Sequence, residues 1–157
     1  MEKLDNIDKK IVSALMDNSK YMSRELSRKL KVHPNTLLQR LKKLEKSGII
    51  MKYSAVIDFS KIDKHLQALI FLDVDMEKQW EDALRPVAKH PDVVSFSFIS
   101  GSHDALIYAR VKDESHLASL LRRFQSTKVV THATTHIIID HLRQPHEYNP
   151  LKDELRF

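Results

Sequence analysis

The periodicity of the apolar residues changes once along the chain, near residue 64, and this change constrains the fold more than any other feature. Before it, apolar residues recur every three to four positions, as on the buried face of a helix. After it, segments typical of strands alternate with segments typical of helices. We therefore predict two domains, at residues 1–60 and 64–144, and a polar C-terminal tail at residues 145–157.

The first domain is predicted to hold three short helices around one core. Asp5 is the expected cap of the first helix and Ser23 of the second, because their side-chain oxygens accept free backbone N–H groups. The third helix is expected to begin at Pro34, which lacks an N–H group, and to end at Gly48. Residues 49–59, "IIMKYSAVIDF", predict a strand or short hairpin that would form a wing. Four leucines of the third helix are expected to face the core: Leu37, Leu38, Leu41 and Leu44.

The second domain shows the order β-α-β-β-α-β. Right-handed crossovers place both helices on one face of a four-stranded sheet, which gives a ferredoxin-like sandwich. The first strand, within "LQALIFLDVD", is apolar on both sides. We therefore expect the bare face of the sheet to meet another subunit, in a homodimer at least.

The charge is unevenly distributed between the two predicted domains. The chain carries a net charge of +5, and residues 1–60 hold 13 Lys or Arg against 7 Asp or Glu, whereas residues 61–157 hold 13 against 14. This asymmetry favours a polyanion as the partner of the first domain, although a locally basic solvated surface is an alternative.

The composition excludes several kinds of chemistry. With no cysteine, the chain has no thiol nucleophile and no cysteine metal site, and with two glycines it has no glycine-rich phosphate loop. No stretch approaches the roughly 18 apolar residues of a membrane helix, so we expect a cytoplasmic protein without a membrane partner. His132 and His136 share a strand face but lie about 13 Å apart, too far for one ion. We therefore expect no metal and no cofactor.

The third helix carries a polar face opposite its leucines, within "KVHPNTLLQRLKKLEKSGII" at residues 31–50. The second and third helices fit a helix-turn-helix, whose second helix enters the major groove of double-stranded DNA. Asn35 and Gln39 suit adenine, Arg40 suits guanine, and Thr36 suits a thymine methyl group or a phosphate. Three lysines suit phosphates: Lys42, Lys43 and Lys46. A basic helix face exposed only to solvent is the alternative.

These segments together resemble the Lrp/AsnC, or feast/famine, family of transcription regulators. The resemblance runs from "LDNIDKKIVSAL" through "SRELSRKLKVHPNTLLQRLKKLEKSGII" and "YSAVID" to "GSHDALIYARV". It implies an α+β fold with an N-terminal winged helix-turn-helix joined to a C-terminal ferredoxin-like βαββαβ sandwich that dimerises through its sheet. It also implies assembly into tetramers or octamers and a response to amino acids.

The resemblance assigns DNA contacts and an effector site by position. The DNA contacts are His33, Asn35, Thr36, Gln39, Arg40 and Lys43, with Lys52 on the wing. Among them, Arg40 is the foremost candidate. The family's G-x-x-D element is matched by Gly101, Ser102, His103 and Asp104, where Asp104 could pair with an ammonium group. Glycine and aspartate are also ordinary hairpin-turn residues, so this element has a structural explanation as well.

One position departs from the family pattern. His33 stands where a serine cap is usual, so we expect that the cap energy, typically about 1 kcal/mol, is given up or that the ring contacts a phosphate or base.

The leading functional prediction is a sequence-specific transcriptional regulator, not an enzyme, that binds pseudo-palindromic DNA as a dimer or higher oligomer. Sirohaem decarboxylases resemble this family in both domains and are the enzymatic alternative. A weakly specific, chromatin-like DNA binder is the other alternative.

Overall fold

The computed structural model describes residues 4–77 and 79–154. The chain divides into two compact units. The helical unit contains the N-terminal part up to Val56 together with the C-terminal segment that begins at Arg143, and the sheet unit spans Ile57–Leu142. The polar tail therefore belongs to the same unit as the first three helices. No helix in the described part of the chain is long and apolar enough to cross a membrane.

Three helices build the core of the helical unit: α1 (Asn6–Asp17), α2 (Ser23–Leu30) and α3 (Pro34–Lys46). Ile11, Leu26, Leu37 and Leu44 are almost fully buried together. Asp5 caps α1 as predicted, since its Oδ1 accepts the N–H groups of residues 7 and 8 at 2.8 and 2.9 Å. The cap predicted for α2 is wrong by one residue.

At the start of α2, Ser23 is the first helical residue and Met22 occupies the cap position. Glu25 lies in the first turn of α2 and accepts the N–H of Met22 at 3.2 Å. Glu25 thus satisfies the N–H of the cap residue, which is one half of a capping box, while the Met22 side chain accepts no hydrogen bond from the helix.

The turn between α2 and α3 contains no glycine. Lys31 adopts the left-handed conformation at φ 53° and ends α2. The buried Ser27 donates its hydroxyl to the carbonyl of Val32 at 2.5 Å. This side-chain bond holds the turn at the point where the backbone leaves the helical hydrogen-bond pattern.

Two further sequence predictions about this unit are wrong. Leu38 is 44% exposed, because it lies to one side of the stripe formed by Leu37 and Leu44. Residues 49–58 contain no strand in the described chain, so the predicted strand or hairpin is not formed. A single extended segment gains little stability without a neighbouring strand. Its apolar side chains Met51 and Val56 are 89% and 65% exposed.

The sheet unit confirms the ferredoxin-like prediction. Its elements are β1 (Leu66–Val74), α4 (Trp80–Ala88), β2 (Val93–Phe98), β3 (Ala105–Val111), α5 (Glu114–Ser126) and β4 (Val130–Ile137). The strand order is β2-β3-β1-β4, with antiparallel neighbours. Both helices cover one face, where Ile70 and Leu72 of β1 are buried with Leu84 of α4 and Leu120 of α5.

The opposite face of the sheet is mixed in character. Leu69 lies beside Tyr108 and Phe71 beside Leu106 in the register of β1 and β3, and all four side chains are half-buried. His136 of β4 packs edge-on against Phe71, with ring centroids 5.7 Å apart. A second subunit on this face stays a prediction.

Candidate nucleic-acid interface

The buried leucines of α3 determine which side chains face outward. Leu37 and Leu44 are fully buried against the other two helices. The opposite side of α3 is exposed and holds Asn35, Gln39, Lys42, Lys43 and Lys46. These positions fall on one face because a helix repeats every 3.6 residues. Amide groups that suit base edges therefore lie in the N-terminal half of the exposed face and ammonium groups in the C-terminal half.

Arg40 does not belong to that exposed face. It follows Leu37 by three positions and precedes Leu44 by four, which is the spacing of the buried stripe. Its guanidinium Nη1 lies 2.8 Å from Oδ1 of Asp8 and forms a second ion pair with Asp5. The Arg40 side chain is 26% exposed and that of Asp8 only 4%. Arg40 thus connects α3 with the beginning of α1.

This ion-pair cluster shifts the pKa values of Arg40 and Asp5. Hydrogen bonds to Asp5 and then Asp8 raise the pKa of Arg40 above its ordinary value. The pKa of Asp5 is lowered, first by the backbone N–H of Asp8 and then by Arg40. The guanidinium of Arg40 thus faces the carboxyl groups of both Asp5 and Asp8. The prediction of Asp5 as the cap of α1 did not include this partner, although the position of Arg40 relative to the buried leucines of α3 was a usable signal.

His33 caps α3 after all. Its Nδ1 accepts the backbone N–H of Asn35 at 3.3 Å, a long bond that fits the tautomer with the proton on Nε2. The ring is otherwise exposed. The expectation that the cap energy is given up is therefore wrong, and contact with DNA stays a prediction for the outer edge of the ring.

Basic groups gather at the C-terminal end of α3. Lys42, Lys43, Lys46 and Ser47 line a shallow depression. Cations at this end also interact favourably with the helix dipole, which is a structural reason for their presence. Their concentration on one exposed surface suits a phosphate backbone.

Lys52 lies on the extended segment that follows α3. Its neighbour Tyr53 donates its hydroxyl to Oε1 of Glu45 on α3 at 2.8 Å. Burial, and then the bond to Glu45, raises the pKa of Tyr53 to about 12. The segment is thus held beside α3 by a side-chain bond, with Lys52 exposed next to it.

The turn that carries the proposed effector residues joins β2 to β3. Oδ2 of Asp104 accepts the backbone N–H of Val74 at 2.8 Å, and its own N–H donates to Leu72 at 3.0 Å. Nδ1 of His103 lies 2.8 Å from Oδ1 of Asp73. Asp104 therefore binds the backbone at the end of β1 through two hydrogen bonds. This structural role explains an aspartate at this position even if it contacts no effector. The effector role of Gly101, Ser102, His103 and Asp104 stays a prediction.

His132 and His136 lie opposite different residues of β1. In the register of the sheet, His132 is opposite Asp73 and His136 opposite Leu69. Residues 4–77 and 79–154 contain no group of three or more His, Cys, Asp or Glu side chains placed to hold a metal ion.

Comparison with known proteins finds two family models. One for winged helix-turn-helix DNA binding matches residues 4–51, and one for the Lrp/AsnC ligand-binding domain matches residues 67–148. The HTH-type transcriptional regulator FL11 of Pyrococcus horikoshii is 32% identical over 136 residues, which cover 87% of this chain and 89% of that protein.

Solved structures with the same architecture are also found. A transcriptional regulator from Neisseria meningitidis, solved as an L-Met complex, superposes with a TM-score of 0.89 at 28% identity and covers 98% of this chain and 100% of that one. AsnC of E. coli superposes with a TM-score of 0.82 at 21% identity over 91% of this chain and 97% of that one, which supports the fold alone.

Proposed function

We propose, since this chain belongs to the Lrp/AsnC family of transcriptional regulators, that it recognises its operator through the exposed face of α3. Regulation of transcription by DNA binding is the shared function of its named relatives. The observation that supports the proposal most is the outward face of α3, held there by the buried Leu37 and Leu44. A helix fixed in this way can present the same side chains to the major groove in every complex.

The residues of this face divide into two roles. Asn35 and Gln39 have the donor and acceptor pair that reads adenine, and Thr36, half-buried beside them, suits a thymine methyl group or a phosphate. His33 and Lys52 lie on segments that flank α3 and suit the DNA backbone, as the lysines of the shallow depression do. We propose that Arg40 holds α3 against α1 and does not read a base. Its ion pairs with two carboxylates support this role.

A dimer would present two copies of α3 to DNA. The half-exposed apolar side chains Leu69 and Phe71 on the open sheet face support such an assembly. Two copies related by a two-fold axis would recognise a pseudo-palindrome with half-sites about one helical turn apart. Tetramers or octamers would extend this arrangement. Because the partner is chromosomal DNA, we place the protein in the cytoplasm.

An amino acid is the proposed effector. The similarity to the Neisseria regulator with bound L-Met, over nearly the whole of both chains, supports this class of ligand. The turn at Gly101, Ser102 and His103 is the proposed site, with one carboxylate oxygen of Asp104 already bound to Val74. L-Methionine is therefore the first compound to test.

The test is a genome-wide binding selection with purified protein at physiological salt. It is run alone, with a pool of amino acids and with L-methionine. A short pseudo-palindromic motif is expected, and its occupancy should change with the effector. Gln39→Ala should reduce preference for the motif over random DNA by about 1–3 kcal/mol.

Gln125→Ala is the matched control for this substitution. It is the same chemical change on an exposed position of α5 in the sheet unit, and it should leave the preference unchanged. Equal losses for motif and random DNA in Gln39→Ala would contradict base reading by this residue.

The enzymatic alternative is not favoured, because the named relatives are transcriptional regulators. Anaerobic incubation with sirohaem, followed by absorbance and carbon dioxide release, would detect decarboxylation. Binding without any motif would instead favour the chromatin-like alternative.

A further inference from the structure

The C-terminal segment of the chain forms part of the helical unit. After β4 the chain leaves the sheet unit at Leu142 and re-enters the helical unit at Arg143. Its last described element, α6 (Leu151–Glu154), packs on α1. The family models match residues 4–51 and 67–148, so the contacts from residue 149 onward lie outside both matches.

Asn149 makes the main contact of this segment. It is 8% exposed. Its amide nitrogen donates to the carbonyl oxygen and the hydroxyl of Ser13 at 3.0 and 3.1 Å, and to Oδ1 of Asp17 at 3.0 Å. Its own Oδ1 accepts the N–H of Leu151 at 3.2 Å. A buried amide whose donors and acceptor are all used fixes the geometry of both partners.

The charge on α1 explains why this contact is favourable. Asp17 is the last residue of α1, where a negative charge is disfavoured by the helix dipole, and the last turn holds no basic residue. The amide of Asn149 is the largest cause of a lowered pKa at Asp17, followed by Lys152, whose Nζ lies 3.2 Å away. The C-terminal segment thus supplies the donors and the positive charge that the end of α1 lacks.

The two ends of α1 therefore have different partners. Its C-terminal half is held by Asn149 through Ser13 and Asp17. Its N-terminal end holds Arg40 of α3 through Asp5 and Asp8. The buried Ile11 and Ala14 of α1 pack into the core shared with α2 and α3. A displacement of α1 would change the support of α3 at the ion pairs.

We propose that Asn149 is a positioning residue for DNA binding, which acts through α1 on the recognition helix α3. The segment that carries Asn149 follows β4 of the sheet unit along the chain. The backbone between β4 and Asn149 is therefore a second covalent connection between the two units, besides the linker before β1. This inference goes beyond the residues that touch DNA and depends on the proposed reading of DNA by α3.

Asn149→Asp tests the proposal. The substitution keeps the size of the side chain but removes its amide donors and places a second carboxylate beside Asp17. Its matched control is Asn18→Asp, the same change on the exposed residue that follows Asp17. The Oδ1 of Asn18 accepts the N–H of Lys20 at 2.9 Å, and a carboxylate can accept the same bond.

Two measurements separate positioning from general stability. Hydrogen exchange of the backbone amides of α1 should become at least about tenfold faster in Asn149→Asp, because a buried donor set is lost. The Kd for the selected DNA motif should rise about three- to tenfold at a temperature where circular dichroism shows a folded protein, since fewer molecules hold α3 in the binding arrangement. Asn18→Asp adds a charge at the same helix end but removes no buried donor, so it should change both quantities much less.

A rescue variant adds a further readout. In Asn149→Asp combined with Asp17→Asn, the new amide at position 17 can donate to the new carboxylate, so part of the DNA affinity should return. If Asn149→Asp does not fold, Asn149→Ala removes the donors without adding charge. A folded variant of Asn149 with wild-type Kd, or an equal loss in Asn18→Asp, would overturn the proposal. If the wild type itself selects no motif, the proposed function fails instead.

Discussion

Replacing Arg40 by alanine is expected to destabilise the helical unit before it affects base recognition. In the wild type, the Asp8 carboxylate is nearly inaccessible and has two described partners, Arg40 at 2.8 Å and the backbone N–H of Asp5 at 3.3 Å. Arg40→Ala leaves this buried charge with the longer of the two bonds. The loss is therefore dominated by an unpaired carboxylate and not by a missing contact to DNA.

The magnitude follows from the burial of the three groups. Breaking a buried ion pair from one side typically costs about 3–5 kcal/mol, whereas exposed pairs contribute about 0–1 kcal/mol. Asp8 is 4% exposed, but Arg40 is 26% and Asp5 52% exposed, so water can partly replace the guanidinium. We expect a loss of about 2–3 kcal/mol. This corresponds to roughly 30- to 160-fold faster exchange of amides that open with the helical unit.

Segment-resolved hydrogen exchange is the appropriate assay, because a chain of two units need not unfold in one step. Amides of α1 and α3 should exchange faster in Arg40→Ala, while those of α5 serve as an internal reference. The double variant Arg40→Ala with Asp8→Ala removes the buried charge as well. The free energy of unfolding should fall by less in the double variant than the sum of its decreases in Arg40→Ala and Asp8→Ala.

DNA binding provides the decisive comparison. At a temperature where Arg40→Ala is folded, affinity for the selected motif and for random DNA should fall by similar factors, since α3 as a whole is less well held. Wild-type exchange in α1 and α3, together with a loss confined to the selected motif, would refute this reasoning. Arg40 would then be the guanine-reading residue that its type and position suggest.

Three further perturbations test other parts of the structure. Lys46→Ala should weaken binding to all DNA and reduce the slope of log affinity against log salt by about 1, and an unchanged slope would argue against a phosphate contact. The pKa of Tyr53 is raised from 10.0 to about 12 in the folded protein, so the protonated phenol stabilises the fold fully below pH 10.0, and this contribution is lost as the pH rises through about 12. Glu45→Gln should lower the pKa of Tyr53, measured by ultraviolet titration. Gly101 has φ +132° with nothing within 4 Å of an added Cβ, so Gly101→Ala should destabilise the sheet unit by about 1 kcal/mol in a denaturant titration, whereas the exposed Ser102→Ala should not.

Local sequence patterns predicted most of the fold. The cap at Asp5 and the start of α3 at Pro34 depend on groups within one helical turn, so the sequence contains the whole interaction. The order of strands and helices, combined with the fixed hand of crossovers, was sufficient for the ferredoxin-like sheet. The outward face of α3 followed from the spacing of its leucines.

The candidate site was predicted less completely. Residue types drew attention to α3, but they placed Arg40 among the base readers without regard to its position on the helix relative to Leu37 and Leu44. Asp5 and Asp8 lie more than 30 residues away in sequence, and no periodicity links them to Arg40. The strand expected at residues 49–58 depends on a neighbouring strand, which a propensity for Ile and Val does not supply.

The sequence by itself determined most of the elements, their order and the family, because helix caps, apolar periodicity and crossover handedness act over short distances or follow general rules. Only the tertiary structure decided which charges meet. Arg40 pairs with two carboxylates at the N-terminal end of α1. Asn149 donates hydrogen bonds to Ser13 and Asp17, which lie more than 130 residues earlier in the sequence. Such contacts depend on the packing of the whole unit, in which buried polar groups are satisfied by whichever partners the fold brings within hydrogen-bond distance.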